Sequence, residues 1–387
     1  MKVTTPHMGT IDMLLEDLFA RTGVDYFPAP PTTRRTVELG ARYAPEAACL
    51  PLKVTLGNLM EGLEAGADAT LMLGGVGPCR FGYYADLQRR VLQRLGYEFE
   101  PVILEPPAYG WISFLRTLRK LAPGCGWRAM LEAYRTTYRK ALAIDRLEAA
   151  VLRVRCREAE HRATDRARLR GLELLRAAVT PAEIDAAEAE AVALVEAVPV
   201  REDADVLRVS LLGEFYMVLE PFANLELERF LGSRDVLVER GTCLTDWIGP
   251  GKKKHLDGRT PEEIAAAAAP YLEHTVGGEG RVTIGRTVLA KRDGFDGIVQ
   301  VMPFTCMPDT IAKSILPNVS AREDIPVLTL VIDEQSGEAG VHTRLEAFVD
   351  LLRSRRARAA AGVGRGSDEA VLEPPTAHGR RAAGAAR

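Results

Sequence analysis

Residues 69–82 of the chain read ATLMLGGVGPCRFG. The apolar run 69–73 is short and ends at a pair of glycines, which predicts a buried strand. A glycine-rich loop with a Pro-Cys pair follows, and residues 82–95 have the apolar spacing of a helix. A strand, a loop and a helix in this order form the repeating unit of α/β proteins, whose strands are parallel.

The same alternation of strand and helix patterns covers the chain up to residue 105 and resumes at residue 205. The other predicted strands are residues 2–6, 25–27, 99–104, 206–211, 236–239, 297–302 and 326–332. The other predicted helices are residues 11–22, 52–65, 226–230, 261–271, 309–316 and 344–352. We therefore expect an α/β fold with two Rossmann- or flavodoxin-like parallel-sheet domains.

The composition changes between these two parts and again near the end of the chain. Residues 106–204 are rich in Ala, Leu, Arg and Glu, and they predict helices at 146–178 and 181–198. Thr180 and Pro181 suit the N-cap and first position of the second helix. The expected organisation is an N-terminal α/β domain at 1–105, a helical region at 106–204, a C-terminal α/β domain at 205–353 and a disordered basic tail at 354–387.

The overall composition of the 387 residues argues against several classes of protein. Lys+Arg 50 against Asp+Glu 53 gives a net charge of -3, which removes the general case for nucleic-acid binding. No apolar run of about 18 residues predicts a membrane span, and the N-terminus lacks the apolar core of a signal peptide. We therefore expect a cytoplasmic protein, whose six cysteines are ligands, reactive thiols or buried residues rather than disulfides.

Three of the cysteines share one local pattern. Cys49, Cys79 and Cys306 each lie next to a proline or one residue from it, at a predicted junction between a loop and a helix. A helix N-terminus offers free N–H groups and the positive end of the helix dipole, which favour a thiolate. Cys79 and Cys306 follow predicted strands, so both should emerge at the carboxyl edge of a sheet, and Cys49 can join them across a crevice.

Three thiolates in one crevice would suit a soft metal centre. The spacing of these cysteines matches no zinc finger and no compact ferredoxin motif. A structural zinc ion would need a fourth ligand, for which His7 and His255 are available, and the alternative is that all three cysteines are small buried residues. Of the other cysteines, Cys243 is better placed to reach the crevice than Cys125 or Cys156.

Several common catalytic motifs do not occur in the sequence. It has no phosphate-binding Gly-x-x-x-x-Gly-Lys-Ser/Thr loop and no Gly-x-Gly-x-x-Gly that opens a helix. It also has no Gly-x-Ser-x-Gly elbow and no His-Glu-x-x-His. The sequence therefore gives little support to nucleotide hydrolysis, serine hydrolase chemistry or a metalloprotease.

Six segments together resemble the 2-hydroxyacyl-CoA dehydratase, benzoyl-CoA reductase and double-cubane cluster protein superfamily, in its CoA protein activase (activase-related) branch. They are TPHMG at 5–9, ACLPLK at 48–53, GGVGPCRFGYY at 74–84, GEFY at 213–216, MPFTCMP at 302–308 and DEQSG at 333–337. The resemblance covers about residues 1–353. The segments around Cys79 and Cys306 are its most specific parts.

The resemblance implies an iron–sulfur redox protein. Cys49, Cys79 and Cys306 match the cysteines that hold a [4Fe–4S] cluster or one half of a double-cubane [8Fe–9S] cluster, with one iron left open. The implied partners are an ATP-hydrolysing iron–sulfur activator protein and a second subunit in a homodimer or heterodimer. Because the chain has no Cys-x-x-Cys and no nucleotide motif, we expect it to be the component that accepts low-potential electrons.

Four further residues are candidates for catalytic roles. Arg80 and Tyr83, together with Tyr84, follow Cys79 and can flank an open iron, and Glu214 follows a predicted strand and can serve as an acid. Packing of a first helical turn, or a helix cap, is the structural alternative for these residues. Whether the chain is an enzyme that acts on an acyl-CoA or another small molecule is left open. The other functions considered are an electron carrier or cluster-delivery protein, and a zinc-bound or metal-free nucleotide-binding module.

Overall fold

The computed structural model describes residues 1–75, 77–105, 110–249 and 255–361. These residues form two four-stranded sheets, and every pair of neighbouring strands in both sheets is parallel. Helices connect the strands and cover the sheets. The predicted α/β fold with two parallel sheets is therefore confirmed.

The two sheets have the same strand order. The strands of the first sheet are β1 Lys2–Thr4, β2 Asp25–Tyr26, β3 Ala69–Leu73 and β4 Glu100–Leu104, in the order β2-β1-β3-β4. Those of the second are β5 Leu207–Gly213, β6 Val236–Arg240, β7 Gly297–Pro303 and β8 Val327–Ile332, in the order β6-β5-β7-β8. In each sheet the strand order reverses at the first strand. Loops diverge at such a switch point and leave a crevice at the carboxyl ends of the strands, where ligands usually bind.

The helices of the described residues fall into three groups along the chain. Those around the first sheet are α1 Ile11–Thr22, α2 Arg34–Tyr43, α3 Leu50–Glu64 and α4 Tyr84–Arg94. The middle of the chain forms α5 Trp111–Leu121, α6 Trp127–Arg155, α7 Ala163–Ala177 and α8 Pro181–Glu196. Those around the second sheet are α9 Phe215–Leu219, α10 Leu227–Gly232, α11 Leu244–Ile248, α12 Pro261–Ala268, α13 Gly280–Arg292, α14 Met307–Glu323 and α15 Glu338–Ala360.

The single helix predicted at 146–178 is wrong, because the chain turns between α6 and α7. Arg162, just before α7, has a left-handed backbone with φ of 61°. The carboxylate of Glu158 accepts hydrogen bonds from the backbone N–H groups of Arg162 and Thr164 at 2.9 and 3.0 Å. This side chain satisfies the free N–H groups at the start of α7, as an N-cap would, without the glycine or proline that usually marks a break.

The predicted start of a disordered tail at residue 354 is also wrong, because α15 continues to Ala360. Its last turns are held by ion pairs: Arg355 contacts Asp324 at 2.7 Å, and Arg356 contacts Asp296 at 2.6 Å. In the sequence these arginines suggest a solvated tail. In the structure Arg355 and Arg356 instead fix the helix to the second sheet. The rest of the predicted tail, residues 362–387, lies outside the described residues.

One apolar core joins the two halves of the chain. It includes Leu14 of α1 and Val54 of α3 from the first half, Ile144 of α6, and Val209 of β5 from the second half, and all four are buried. Burial of apolar area is the main stabilising term in folding, so this shared core holds the two sheets in one arrangement. None of the described helices is long and apolar enough to cross a membrane.

Candidate functional site

A cleft lies where the strand ends of both sheets meet. It encloses about 510 Å³ of empty space, part of which is open to solvent. Gly74 follows β3, Glu214 follows β5, and Cys306 lies just beyond β7, so the switch points of both sheets contribute to it. The residues that line the cleft are Gly74, Gly75, Cys79, Phe81, Gly82, Glu214, Phe215, Trp247, Gly278, Glu279, Cys306, Pro308 and Asp309.

Each of the three predicted cysteines precedes a helical segment, as the sequence indicated. Cys49 is the N-cap of α3, Cys306 is the N-cap of α14, and Cys79 precedes a 3₁₀ turn at Arg80–Tyr83 that leads into α4. All three have extended backbones. A proline lies in the first turn of α3 and of α14, where its missing N–H costs no hydrogen bond.

The guanidinium of Arg80 connects the three cysteine-bearing segments. It donates a hydrogen bond of 3.0 Å to the carbonyl of Ala47, two residues before Cys49. It also donates to the carbonyl of Thr305, and at 3.2 Å to the hydroxyl of that residue, which precedes Cys306. The Thr305 hydroxyl in turn donates to the Ala47 carbonyl at 3.0 Å. Since Arg80 itself follows Cys79, these bonds bring the three loops to one place.

The same buried carboxylate influences all three thiols. Burial raises the pKa of Cys49 to about 11, and it also raises the pKa values of Cys79 and Cys306. In each case the negative charge of Glu214 adds to the rise. A charge acts on a group only over a short range in a protein, so Glu214 lies near all three cysteines. Their sulfurs are neutral thiols at pH 7 in the metal-free protein.

Three carboxylic acids share this region. Burial, together with the negative charge of Asp309, raises the pKa of Glu214 and of Glu279 to about 8. Burial raises the pKa of Asp309 to about 6. Asp309 accepts a hydrogen bond from the Cys306 thiol at 3.2 Å. At neutral pH the two glutamic acids therefore hold protons inside the cleft.

The tyrosine predicted to act at the site, Tyr83, does not line the cleft. Its side chain is 54% exposed, and its hydroxyl bonds to Asp86 on α4. Tyr84 takes the inward position instead: it is 4% exposed, and its hydroxyl contacts the sulfur of Cys49. Successive residues of a 3₁₀ turn point about 120° apart, since the turn has three residues per revolution, so one of two neighbouring tyrosines can be buried while the other is exposed.

Glu214, the predicted acid, has two roles in the structure. Its carboxylate caps α9 by accepting a hydrogen bond of 3.0 Å from the backbone N–H of Met217. The same side chain lines the cleft. Capping and cleft exposure, which the sequence offered as alternatives, therefore occur together.

The remaining candidate ligands are engaged elsewhere. His7 bonds through Nε2 to the carbonyl of Ala29 at 2.7 Å, and Nδ1 of His255 lies 2.7 Å from the carboxylate of Asp246. Cys243, Cys125 and Cys156 do not line the cleft. Among the described residues, no three His, Cys, Asp or Glu side chains are grouped closely enough to hold a single metal ion.

Two of the three predicted cysteines, Cys79 and Cys306, line the cleft, and Cys49 is not among its lining residues. Thiols are the donors that iron–sulfur centres use, and the bond from Arg80 to Ala47 holds the loop of Cys49 next to the other two. Gly278 packs closely against the cysteine loops, because a Cβ at this position would lie 3.8 Å from the sulfur of Cys79 and only 3.2 Å from Pro308. The described lining includes acids and thiols but no lysine or arginine, and such a set favours a positively charged occupant.

Sequence reasoning missed two acids of the cleft and weighed Tyr84 only as a neighbour of Tyr83. Asp309 could have been found from its position three residues after Cys306, since residues i and i+3 meet in a first helical turn. Glu279 has no such signal. It lies at the start of α13, which the sequence did not predict, and only the fold brings it to Glu214.

No protein-family model matches the chain, and no curated protein matches it in sequence. The function is therefore argued from the geometry of the cleft and from the motifs quoted above.

Proposed function

We propose that the chain is an iron–sulfur redox protein, in which Cys49, Cys79 and Cys306 hold a [4Fe–4S] cluster or part of a double-cubane [8Fe–9S] cluster. The observation that carries this proposal is the set of hydrogen bonds from Arg80, which brings the three cysteine-bearing loops together beside the cleft that Cys79 and Cys306 line. The sequence motifs around Cys79 and Cys306 support the same assignment.

When bound, such a cluster would supply low-potential electrons, with one iron not held by a cysteine of this chain. The protein would contribute the environment that tunes it. Backbone N–H groups at the starts of α3 and α14 are available to the sulfurs, and hydrogen bonds to sulfur help set the potential of an iron–sulfur centre. The Tyr84 hydroxyl at Cys49 adds a further hydrogen-bonding group.

The acids of the cleft would handle protons. Because Glu214 and Glu279 keep their protons at pH 7, each can donate one to a substrate that gains electrons beside it. A donor whose pKa lies near the working pH suits general acid catalysis. These two residues are the acids that we assign to the reaction.

The electrons would come from a separate ATP-hydrolysing iron–sulfur protein, and the substrate would be an acyl-CoA or another small molecule. Both assignments follow from the resemblance, as does a homodimer or a heterodimer with a related subunit. A cytoplasmic location belongs to the same proposal, because thiols stay reduced there. No nucleic acid or membrane takes part in it.

Anaerobic purification, followed by iron and acid-labile sulfide analysis and EPR of the reduced protein, tests the cluster. Separate Cys49→Ala, Cys79→Ala and Cys306→Ala variants should each lose most of the iron and the EPR signal. Cys156→Ala is the matched control, since Cys156 is buried like Cys49 and Cys306 and its thiol bonds to the Arg153 carbonyl instead. Full iron content in any of the three variants would remove that cysteine from the ligand set.

Zinc in place of iron, or no metal after anaerobic reconstitution, would refute the proposal. If the cluster forms, turnover with an ATP-hydrolysing reductase partner separates an enzyme from an electron carrier. Glu214→Gln and Glu279→Gln should then lower kcat while the EPR signal stays, because these side chains are assigned to proton transfer and not to cluster binding.

A further inference from the structure

Two of the three tryptophans of the chain lie at the joint between α5 and α6 and are partly exposed. Trp111 is 36% exposed and Trp127 is 46% exposed. The Trp111 ring contacts the ring of Tyr134 on α6 with centroids 5.4 Å apart, and the guanidinium of Arg119 on α5 lies 5.1 Å from the centroid of the Trp127 ring. Ile112, next to Trp111, is 70% exposed, the highest value among the large apolar side chains that the structure describes. We call Trp111, Ile112 and Trp127 the α5–α6 patch.

Four arginines on the same two helices form no ion pair within the described part of the chain. They are the exposed side chains Arg116, Arg119, Arg128 and Arg135. Later arginines of α6 are paired instead: Arg139 contacts Asp185 at 2.6 Å, and Arg146 contacts Glu188 at 2.8 Å. Residues 111–135 contain a single acid, Glu132. The surroundings of the patch are therefore positive, although the chain as a whole has a net charge of -3.

The spacing of these arginines places them beside the patch. Arg116 lies four residues after Ile112 on α5, so the two side chains are neighbours on one face of the helix. Arg119 contacts the Trp127 ring, and Arg128 directly follows that tryptophan. An apolar centre is thus bordered by guanidinium groups on both helices.

A membrane surface does not suit this arrangement. A helix that lies in a lipid interface inserts the whole of its apolar face. In α5 that face is already used, because Phe114, Leu118 and Leu121 are at most 4% exposed and pack in the core beside the first sheet. Only the first turn of the helix remains available, together with Trp127.

The composition of the patch and its border is that of a protein–protein contact. Tryptophan and arginine are enriched where binding energy is concentrated in such contacts, and an apolar centre is ringed there by polar side chains. A second copy of the chain, joined through this patch by a two-fold axis, would bring the same positive charges together. The complementary surface is therefore that of a different protein, and it is acidic.

The patch lies on the side of the molecule at which the cleft lies. α5 begins seven residues after Leu104, the last residue of β4, whose carboxyl end faces the cleft region. The Trp111 ring contacts the rings of Phe114 and Tyr134. These two residues line an apolar cavity together with Trp247, which also lines the cleft. A protein bound at the patch would thus sit close to the cleft.

From these observations we propose that the α5–α6 patch is the docking surface of the protein that delivers electrons to the cleft. That protein would meet it with carboxylates placed around an apolar pocket, since a guanidinium pairs with a carboxylate through two hydrogen bonds. The role of the partner as an electron donor rests on the proposed function. The chemistry of its surface follows from the patch alone.

The purified ATP-hydrolysing reductase is the probe, and its dissociation constant would be measured by anaerobic biolayer interferometry on the metal-free and on the reconstituted protein. Trp127→Ser should weaken binding by about 30-fold, as the loss of an aromatic hot-spot residue does. The double variant Arg116→Glu/Arg128→Glu should weaken binding by about tenfold or more at about 50 mM salt, and by less at about 500 mM, since salt screens exposed charges.

Two exposed residues of α7 supply matched controls. Leu169→Ser changes an apolar side chain that is 57% exposed, and Arg170→Glu reverses a charge that pairs with Glu173 on the same helix. Both should bind the reductase like wild type. Circular dichroism, melting curves and iron content of all variants should match those of wild type, because none of these residues lies in the core or at the cysteines.

Equal affinity of the patch variants and wild type for the reductase, or no binding of the reductase to wild type, would overturn the inference. Patch-dependent binding of phosphatidylglycerol vesicles or of a single-stranded oligonucleotide in place of the reductase would overturn it as well. Iron analysis of the same samples keeps the two proposals separate. Patch-dependent binding to a chain that takes up no iron refutes the cluster alone, and a cluster that the reductase reduces equally well in the patch variants refutes the docking surface alone.

Discussion

Arg80 holds Thr305 by both its carbonyl and its hydroxyl oxygen. Thr305 has φ of 68°, a left-handed backbone that a β-branched residue rarely adopts. Such strain costs on the order of 1–3 kcal/mol and persists only where surrounding contacts enforce it. The bonds from Arg80 and to Ala47 are those contacts, and the residue they constrain comes directly before Cys306.

Arg80→Lys should weaken the binding of iron while the chain still folds. Lysine keeps the positive charge but cannot reach the Ala47 and Thr305 oxygens together, because it lacks the fork of the guanidinium. Loss of a group that orients metal ligands typically lowers metal affinity by about 10–100-fold. Iron retention during anaerobic dialysis against a chelator measures this effect.

Arg90→Lys is the control for Arg80, since within the described part of the chain the ion pair of Arg90 is with Asp86 on the same helix. It should retain iron like the wild type. Equal retention by Arg80→Lys would mean that the three loops stay together without the guanidinium.

Lys53 of α3 and Glu334, which follows β8, form an ion pair of 2.5 Å between the two halves of the chain. The lysine side chain is 5% exposed and the glutamate 24%, so the two partners differ in their access to water. Glu334→Ala would leave a buried ammonium unpaired and should lower the free energy of unfolding by about 3 kcal/mol. Lys53→Met should cost only about 1 kcal/mol, because Glu334 can be hydrated.

Denaturant unfolding of both variants and of the double variant measures this asymmetry. The double variant should be close to Lys53→Met. Glu338→Ala, at a glutamate that is 66% exposed, is the control and should be neutral. A larger loss for Lys53→Met than for Glu334→Ala would contradict the burial argument.

Stability of the metal-free protein should fall as the pH rises from about 4.5 to about 8. In this window Glu214 and Glu279 keep their protons in the folded state, where their pKa is about 8, whereas they lose them in the unfolded state. The unfolded state then binds fewer protons, so the slope of unfolding free energy with pH is negative. Replacing both residues with Gln should reduce the slope and stabilise the protein at pH 9 by on the order of 2 kcal/mol per site.

Unfolding curves at pH 5 and pH 9 test this predicted pH dependence of stability. Wild type and the double Gln variant should be similar at pH 5 and differ at pH 9. The exposed residue Glu98 supplies the control Glu98→Gln, which should follow wild type at both values. A Gln variant that is no more stable at pH 9 would show that these acids ionise freely in the fold.

Tyr84→Phe should lower the reduction potential of the bound cluster. The lost hydroxyl contacts the sulfur of Cys49, and a hydrogen bond to sulfur stabilises the more negative, reduced state. One such bond corresponds to about 20–60 mV for a single electron. Redox titration followed by EPR gives the value, and Tyr83→Phe, whose hydroxyl faces Asp86, should leave it unchanged. A shift in Tyr83→Phe instead would favour the sequence-based assignment.

Most of the fold could be predicted because its signals are local. The strand at Ala69–Leu73 has the predicted bounds, and α8 begins at the N-cap Thr180 and at Pro181, as the Thr-Pro pattern predicted. α2 and α13 were missed for a physical reason. α2 buries only Thr36 and Gly40, so it has no apolar stripe, and α13 begins at a glycine within a polar stretch.

The site was predictable only where chemistry and local structure coincide. A cysteine at a helix start can be recognised from its neighbours, and this was enough for Cys49, Cys79 and Cys306. The residues that surround these cysteines are brought there by contacts between parts of the chain that are distant in sequence. The sequence could not show that Arg80 would bond to loops far along the chain.

The partners of Arg80 are mainly backbone carbonyls, which every amino acid provides. Substitutions at Ala47 can therefore accumulate over evolution without loss of the bond. Thr305 can be replaced only by a residue that keeps a hydroxyl group if all of its bonds to Arg80 are to remain. Position 80 cannot change in the same way, because the bonds depend on the guanidinium of arginine. In homologous chains this arginine should be inherited together with the three cysteines, and lost with them.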